Sequence, residues 1–194
     1  MNTLWRPRVL GAWQVPATGP VILAVNHAHN IDGPMLMGTA PRPVHFLIKK
    51  EAFIGPLDPF LTGIGQLKVD RSTADRTAVT NALGVLENGG VLGIFPEGTR
   101  GGGDFSSIRA GLAYFAVRSG APIVPVAVLG SGRGGRLIPA LPPLRSRFDI
   151  VFGEPFDPGD GSGRRTRKAL DEATVRIQER LTAHLENAKR LSGR

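Results

Sequence analysis

Cysteine is absent from all 194 residues. Its absence excludes disulfides, thiolate nucleophiles and cysteine-ligated zinc, and it fits an intracellular chain. No run approaches the ~20 apolar residues of a membrane span. The opening stretch MNTLWRPRVLGAW has no apolar core of signal-peptide length. The expectation is a protein that is soluble or rests on a membrane surface. Aromatic residues are scarce, at 6%, which argues against a face built on stacked bases. Acidic residues are missing from Phe105 to Phe148, where Arg109, Arg118, Arg133, Arg136, Arg145 and Arg147 all fall.

What is present has ordinary globular proportions, 41% hydrophobic and 21% charged. One domain over 1–194 is expected, large enough to bury a substantial core. The net charge of +8 suits an anionic partner: nucleic acid, a phosphorylated substrate or acidic lipid. No helix-turn-helix, zinc-finger or aromatic-sheet pattern accompanies it, so no nucleic-acid partner is expected.

Short apolar runs read as strands: VILAV (21–25), VHFLIK (44–49), LKV (67–69), VLGIF (91–95), IVPVAVL (123–129) and FDIVFG (148–153). Helical spacing covers Ser72 to Glu87 and Ser107 to Ser119. A further short helix starts at Asp32-Gly33-Pro34, with Asp32 as its N-cap. From Arg164 to Leu191, Leu170, Ala173, Ile177, Leu181, Leu185, Ala188 and Leu191 form the stripe of a long helix, read as packing on the domain. Strands alternating with helices predict an α/β domain with a largely parallel sheet. Ligands in such sheets sit where loops leave the C-terminal strand ends, and both HAHNID and PEGTR occupy such positions.

The loop VNHAHNID (25–32) carries His27, His29 and Asp32. A metal reading is incomplete. The run lacks the further adjacent histidine of a binuclear metallohydrolase, and only His45 and His184 remain elsewhere, so no metal is expected. In a proton-transfer reading, a turn brings Asp32 to His27, where a carboxylate fixes the imidazole tautomer and supports the imidazolium. No nucleophile is in the run, so such a dyad suits a hydroxyl supplied by the substrate. In a plainer reading, His27 bonds a neighbouring carbonyl and Asp32 only caps its helix. Other strand exits carry cations: Lys49 and Lys50, then Arg71, then Arg100 in FPEGTR (95–100). Together they suggest a bound anion near the base. Gly98 would let backbone approach a ligand closely, and Thr99 offers a hydroxyl.

These blocks resemble the lysophosphatidate (1-acylglycerol-3-phosphate) acyltransferase family. NHAHNID (26–32) is similar to its Asn-His-x4-Asp block, and GQLKVDR (65–71) to the Gly-led strand ending in Asp-Arg. FPEGTR matches the third block almost letter for letter, and APIVPVAV (121–128) resembles the Val-Pro strand. The four run in order within about residues 9 to 155. The resemblance implies a mixed sheet flanked by helices. It implies His27 as general base and Asp32 as its orienter, with a lysophospholipid as acceptor. The donor is acyl-CoA or acyl carrier protein, a co-substrate rather than a cofactor. Arg71, Arg100 and Lys49 (chosen over Lys50) would hold the acceptor's phosphate. Glu97 and Gly98, with Thr99, would shape its pocket. The basic residue after the third block is Arg109, where lysine is frequent. The intact His27, Asp32 and FPEGTR argue against a catalytically inactive lipid-binding module.

GSGRGGRLIPALPPLRSR (130–147) mixes arginines with Leu137, Ile138, Leu141 and Leu144, which suits peripheral contact with an anionic membrane and equally a proline-rich loop packed over the sheet. The expected location is cytoplasmic, at the inner face of the cell membrane. The same segment holds a glycine pattern, Gly130-x-Gly132-x-x-Gly135, that matches a dinucleotide fingerprint. The prolines after it forbid the helix such a site needs.

Overall fold

The computed structural model describes residues 5–73, 75–98, 103–131, 142–143, 145–159 and 166–194. Its strands are β1 (Arg6–Leu10), β2 (Val21–Val25), β3 (Val44–Lys49), β4 (Leu67–Val69), β5 (Val91–Ile94), β6 (Ile123–Leu129) and β7 (Arg147–Phe152). Its helices are α1 (Asp32–Met37), α2 (Leu57–Gly63), α3 (Arg76–Glu87), α4 (Gly111–Ser119) and α5 (Arg167–Ser192). The seven strands form one sheet in the order β1-β7-β6-β2-β5-β3-β4. Only the β6–β7 pairing is antiparallel among them. This is the α/β fold expected, with a mixed, largely parallel sheet, flanking helices and a long C-terminal helix.

Strand alternation sorts the core. Ile22 and Ala24 of β2 point to one face, where Leu86, Leu112, Phe115, Ile177 and Leu181 of α3, α4 and α5 cover them. Val21, Leu23 and Val25 point to the other, with Met35 and Leu36 of α1 and Phe46, Phe148 and Ile150 of the sheet. The α5 stripe is buried through Ala173, Ile177, Leu181, Leu185 and Ala188, while Leu191 is exposed. None of the described helices is long and apolar enough to cross a membrane.

Two expectations need correction. The first strand is β1, not VILAV: RPRVL pairs in parallel with β7 from Arg6↔Arg147 to Leu10↔Val151. Pro7 is tolerated because β1 is an edge strand, where one row of N–H groups has no ladder partner. In addition, α3 and α4 start later than their apolar spacing suggests. Asp75 caps α3 by accepting from the Ala78 N–H, and residues 107–110 precede the first turn of α4.

Beyond the sheet's hydrogen bonds, its outer edge is fastened by charge. Asp149 of β7 is 1% exposed. It accepts from Nε of Arg8 at 2.6 Å, of Arg147 at 3.1 Å and of Arg194 at 3.2 Å. Burial opposes ionisation of this carboxyl, but the three guanidinium groups outweigh it and hold its pKa below the usual carboxylate range.

Candidate active site

Strands β2, β5, β3 and β4 are consecutive neighbours and all parallel. Their C-terminal ends therefore lie at one end of the sheet. Lys49 is the last residue of β3, and the loops leaving β2, β5 and β4 carry His27, Glu97 and Arg71 respectively.

The loop after β2 is set by buried side chains. Asn26 is 2% exposed. It donates to the carbonyls of Val128 and Gly103 and accepts the Val128 N–H at 2.7 Å, tying the exit of β2 to β6 and to the loop after β5. Asp32 does not cap α1; Ile31 holds that position, and no side chain caps the helix. The Asp32 carboxylate instead turns back into the loop. Its Oδ2 accepts from the N–H groups of Ala28 at 2.9 Å and His29 at 2.7 Å, and meets His27 Nδ1 at 3.4 Å. Its Oδ1 is buried with no partner among the described residues.

An Nδ1–H directed at a carboxylate leaves Nε2 with the lone pair. The His27 side chain is 18% exposed, so the ring keeps access to a substrate. One face of that ring stacks on Phe95, with centroids 4.1 Å apart. Phe95 in turn stacks on Phe46.

Glu97 acts on the same histidine from behind. Its Oε1 accepts the backbone N–H of His27 at 3.2 Å. Burial pushes the Glu97 carboxyl above its ordinary range, and the N–H groups of His27 and Gly103 pull it partly back. The structure thus makes Glu97 a brace for the loop that carries His27.

The cations gather in a cavity of about 490 Å³, lined by Lys49, Arg71, Arg109, Asp70, Gly98 and Phe95 among others. His27 is not on its wall; Phe95 lines the cavity and stacks on His27, so one ring separates the two. Arg71 donates to the Gly98 carbonyl at 2.6 Å. Burial, and then the neighbouring Arg109, lowers its pKa from the ordinary arginine value. Two guanidinium groups held near each other form a natural anion site. Gly98 has φ +71°, and a Cβ there would strike the Arg109 guanidinium. Lys49 faces the cavity, whereas Lys50 pairs with Asp70 at 2.6 Å.

Thr99 and Arg100 lie outside the described residues, as do residues 132–141 and 144, which take in most of the arginine-rich segment and the glycine pattern. Arg109 was absent from the set expected of the site. Its backbone N–H donates to Pro96, which brings a residue well beyond FPEGTR back to the cavity. No three His, Asp or Glu residues are grouped to hold a metal among the described residues. His29 accepts the Ile31 N–H, His45 bonds the Gly65 carbonyl, and His184 bonds the Val151 carbonyl.

Comparison with known proteins places the chain in a family. The model of the family described as Acyltransferase matches residues 6–129. A 1-acyl-sn-glycerol-3-phosphate acyltransferase of Bacillus subtilis (strain 168) is 28% identical over 182 residues, covering 93% of this chain and 88% of that one. A protein of the same name from Borreliella burgdorferi is 31% identical over 122 residues, covering 61% of this chain and 49% of its own. The crystal structure of the 1-acyl-sn-glycerophosphate (LPA) acyltransferase PlsC from Thermotoga maritima superposes with a TM-score of 0.71 at 22% identity. It covers 95% of this chain and 73% of that one, and so shares the fold.

Proposed function

The chain belongs to the acyltransferase family, and from that premise we propose that it moves a fatty acyl group from a thioester to the free hydroxyl of 1-acylglycerol-3-phosphate. The supporting observation is the pairing of His27 Nδ1 with a buried Asp32, one aromatic ring away from a cavity lined by Lys49, Arg71 and Arg109. The activity named for the Bacillus subtilis relative, which spans nearly the whole chain, supports the same acceptor.

In this reading the cations hold the acceptor's phosphate, with Arg100 and Thr99 as further contacts. The hydroxyl reaches past Phe95 to His27 Nε2. His27 takes the hydroxyl proton as the oxygen attacks the thioester carbonyl, and Asp32 supports the imidazolium that forms. Collapse of the tetrahedral intermediate breaks the C–S bond. The departing thiolate takes the proton from His27, leaving a new ester and a free thiol. No acyl-enzyme and no cofactor are involved. The donor is acyl-CoA or acyl carrier protein. Glu97 and Gly98 keep the base and Arg109 in position.

The test is thiol release from a long-chain acyl-CoA, with and without lysophosphatidate. Acceptor-dependent release that falls by roughly 10²–10⁴ in His27→Ala is expected. Release that survives in His27→Ala, or that ignores the acceptor, overturns the reading. If wild type releases no thiol from acyl-CoA, the same assay with acyl carrier protein decides between donors.

A further inference from the structure

The crossover from β3 to β4 does not behave as a crossover ordinarily does. A helix joining parallel strands lays its apolar side on the sheet. None of the seven residues of α2 is buried. Leu57, Phe60 and Ile64 recur at helical spacing, and they are 49%, 59% and 38% exposed. Ile54, just ahead of the helix, is 64% exposed. Between residues 50 and 65 only Phe53 is buried, and it fixes the foot of the excursion under Lys68. Exposed apolar side chains grouped in this way mark an interaction surface.

The charges nearby bear on what occupies it. Lys50 pairs with Asp70 and Lys68 with Asp58, so those carboxylates beside the stripe are neutralised. Lys49 and Glu51 have no ion-pair partner among the described residues. The local balance is thus near zero, on a chain of net charge +8. That combination admits an apolar stripe into the boundary of a bilayer while the whole molecule is drawn to anionic headgroups. The excursion also leaves the sheet next to Lys49, a cation of the acceptor cavity.

We infer that Ile54, Leu57, Phe60 and Ile64 form a docking face that inserts into the headgroup–acyl boundary of an anionic membrane. There a lipid acceptor reaches Lys49 and Arg71 without crossing water. The purpose assigned to docking rests on the lipid-acceptor reading; the docking itself does not.

Co-sedimentation with phosphatidylglycerol–phosphatidylcholine vesicles tests it without any acceptor present. The triple variant Leu57→Ser, Phe60→Ser, Ile64→Ser should lose at least about tenfold in partition coefficient, with an unchanged circular dichroism melt. In a Trp13→Phe background, the indole fluorescence of Phe60→Trp should shift to the blue on vesicle addition and be quenched by brominated lipids. Unchanged partitioning of the triple variant, or an indole signal blind to vesicles in the Phe60→Trp variant, overturns the inference. So does a dimer in vesicle-free buffer that the triple variant dissociates while vesicle binding persists, because the face would then join two copies of this chain. Thiol release separates this inference from the functional reading. The variant should retain turnover of a water-soluble short-chain acceptor and lose it for vesicle-borne acceptor. Stripe-dependent vesicle binding by a wild type that has no acceptor-dependent activity would leave docking standing and remove the functional reading.

Discussion

One carboxylate oxygen of Asp32 meets two backbone N–H groups and an imidazole. It therefore fixes the shape of the loop and the tautomer of the His27 ring together, and the two roles cannot be separated by removing the side chain. Arg109 is the cleaner probe. It touches neither His27 nor Asp32 and faces the cavity. Arg109→Ala is expected to raise the KM for a phosphate-bearing acceptor by roughly 10–100-fold, the worth of a charge-assisted contact, with a smaller change in kcat. Steady-state kinetics with varied acceptor checks it, and an unchanged KM would remove Arg109 from the site. The contrast between these residues explains what the sequence reveals about the site. His27 and Asp32 lie within one loop, so a single turn unites them and their spacing is readable. Arg109 reaches the cavity because its N–H returns to Pro96; the resemblance marks the basic position after the third block, but the spacing alone does not show this closure. The role of Asn26 is hidden likewise, since its partner Val128 is on another strand.

Among the elements, the central strands read best. VILAV and IVPVAVL, buried at every residue, are strands over the ranges their apolar runs suggest, and the less buried VHFLIK and LKV keep theirs as well. Burial on both faces demands a continuous apolar run, which is the plainest of sequence signals. RPRVL escapes notice because an edge strand tolerates arginine and proline, and its stabilisation comes from a partner far along the chain. The long helix α5 is legible instead from its apolar stripe at helical spacing, and its docking includes a titratable contact. The ring of His184 bonds the Val151 carbonyl of β7, and burial lowers its pKa from the ordinary histidine value. The folded chain thus resists a proton that the unfolded chain accepts, so stability is present above the ordinary histidine pKa and is lost as pH falls below it. Thermal melts from about pH 7.5 to 5.5, a window that brackets the ordinary histidine pKa, should show wild type losing more stability than His184→Gln. Parallel losses would mean that His184 does not carry the effect.

At the scale of the molecule, Asp149 ties its own strand, through the neighbouring Arg147, to two distant stretches of chain: Arg8 from β1 and Arg194 beyond α5. Asp149→Asn leaves three guanidinium groups around a neutral amide. It should destabilise the fold by about 1–3 kcal/mol, read as a lower urea midpoint at unchanged slope. A midpoint equal to wild type would mean that the arginines are satisfied by water. The pairing of β1 with β7 also bears on how the protein is made. β1 is translated well before its partner, since the strand it needs is complete only at Phe152. At about 5–20 residues per second, roughly 7–30 s of synthesis separates them. For that interval RPRVL has no ladder to join, and the forming sheet ends without its final two strands. A chaperone that shields unpaired strand edges would act during that interval.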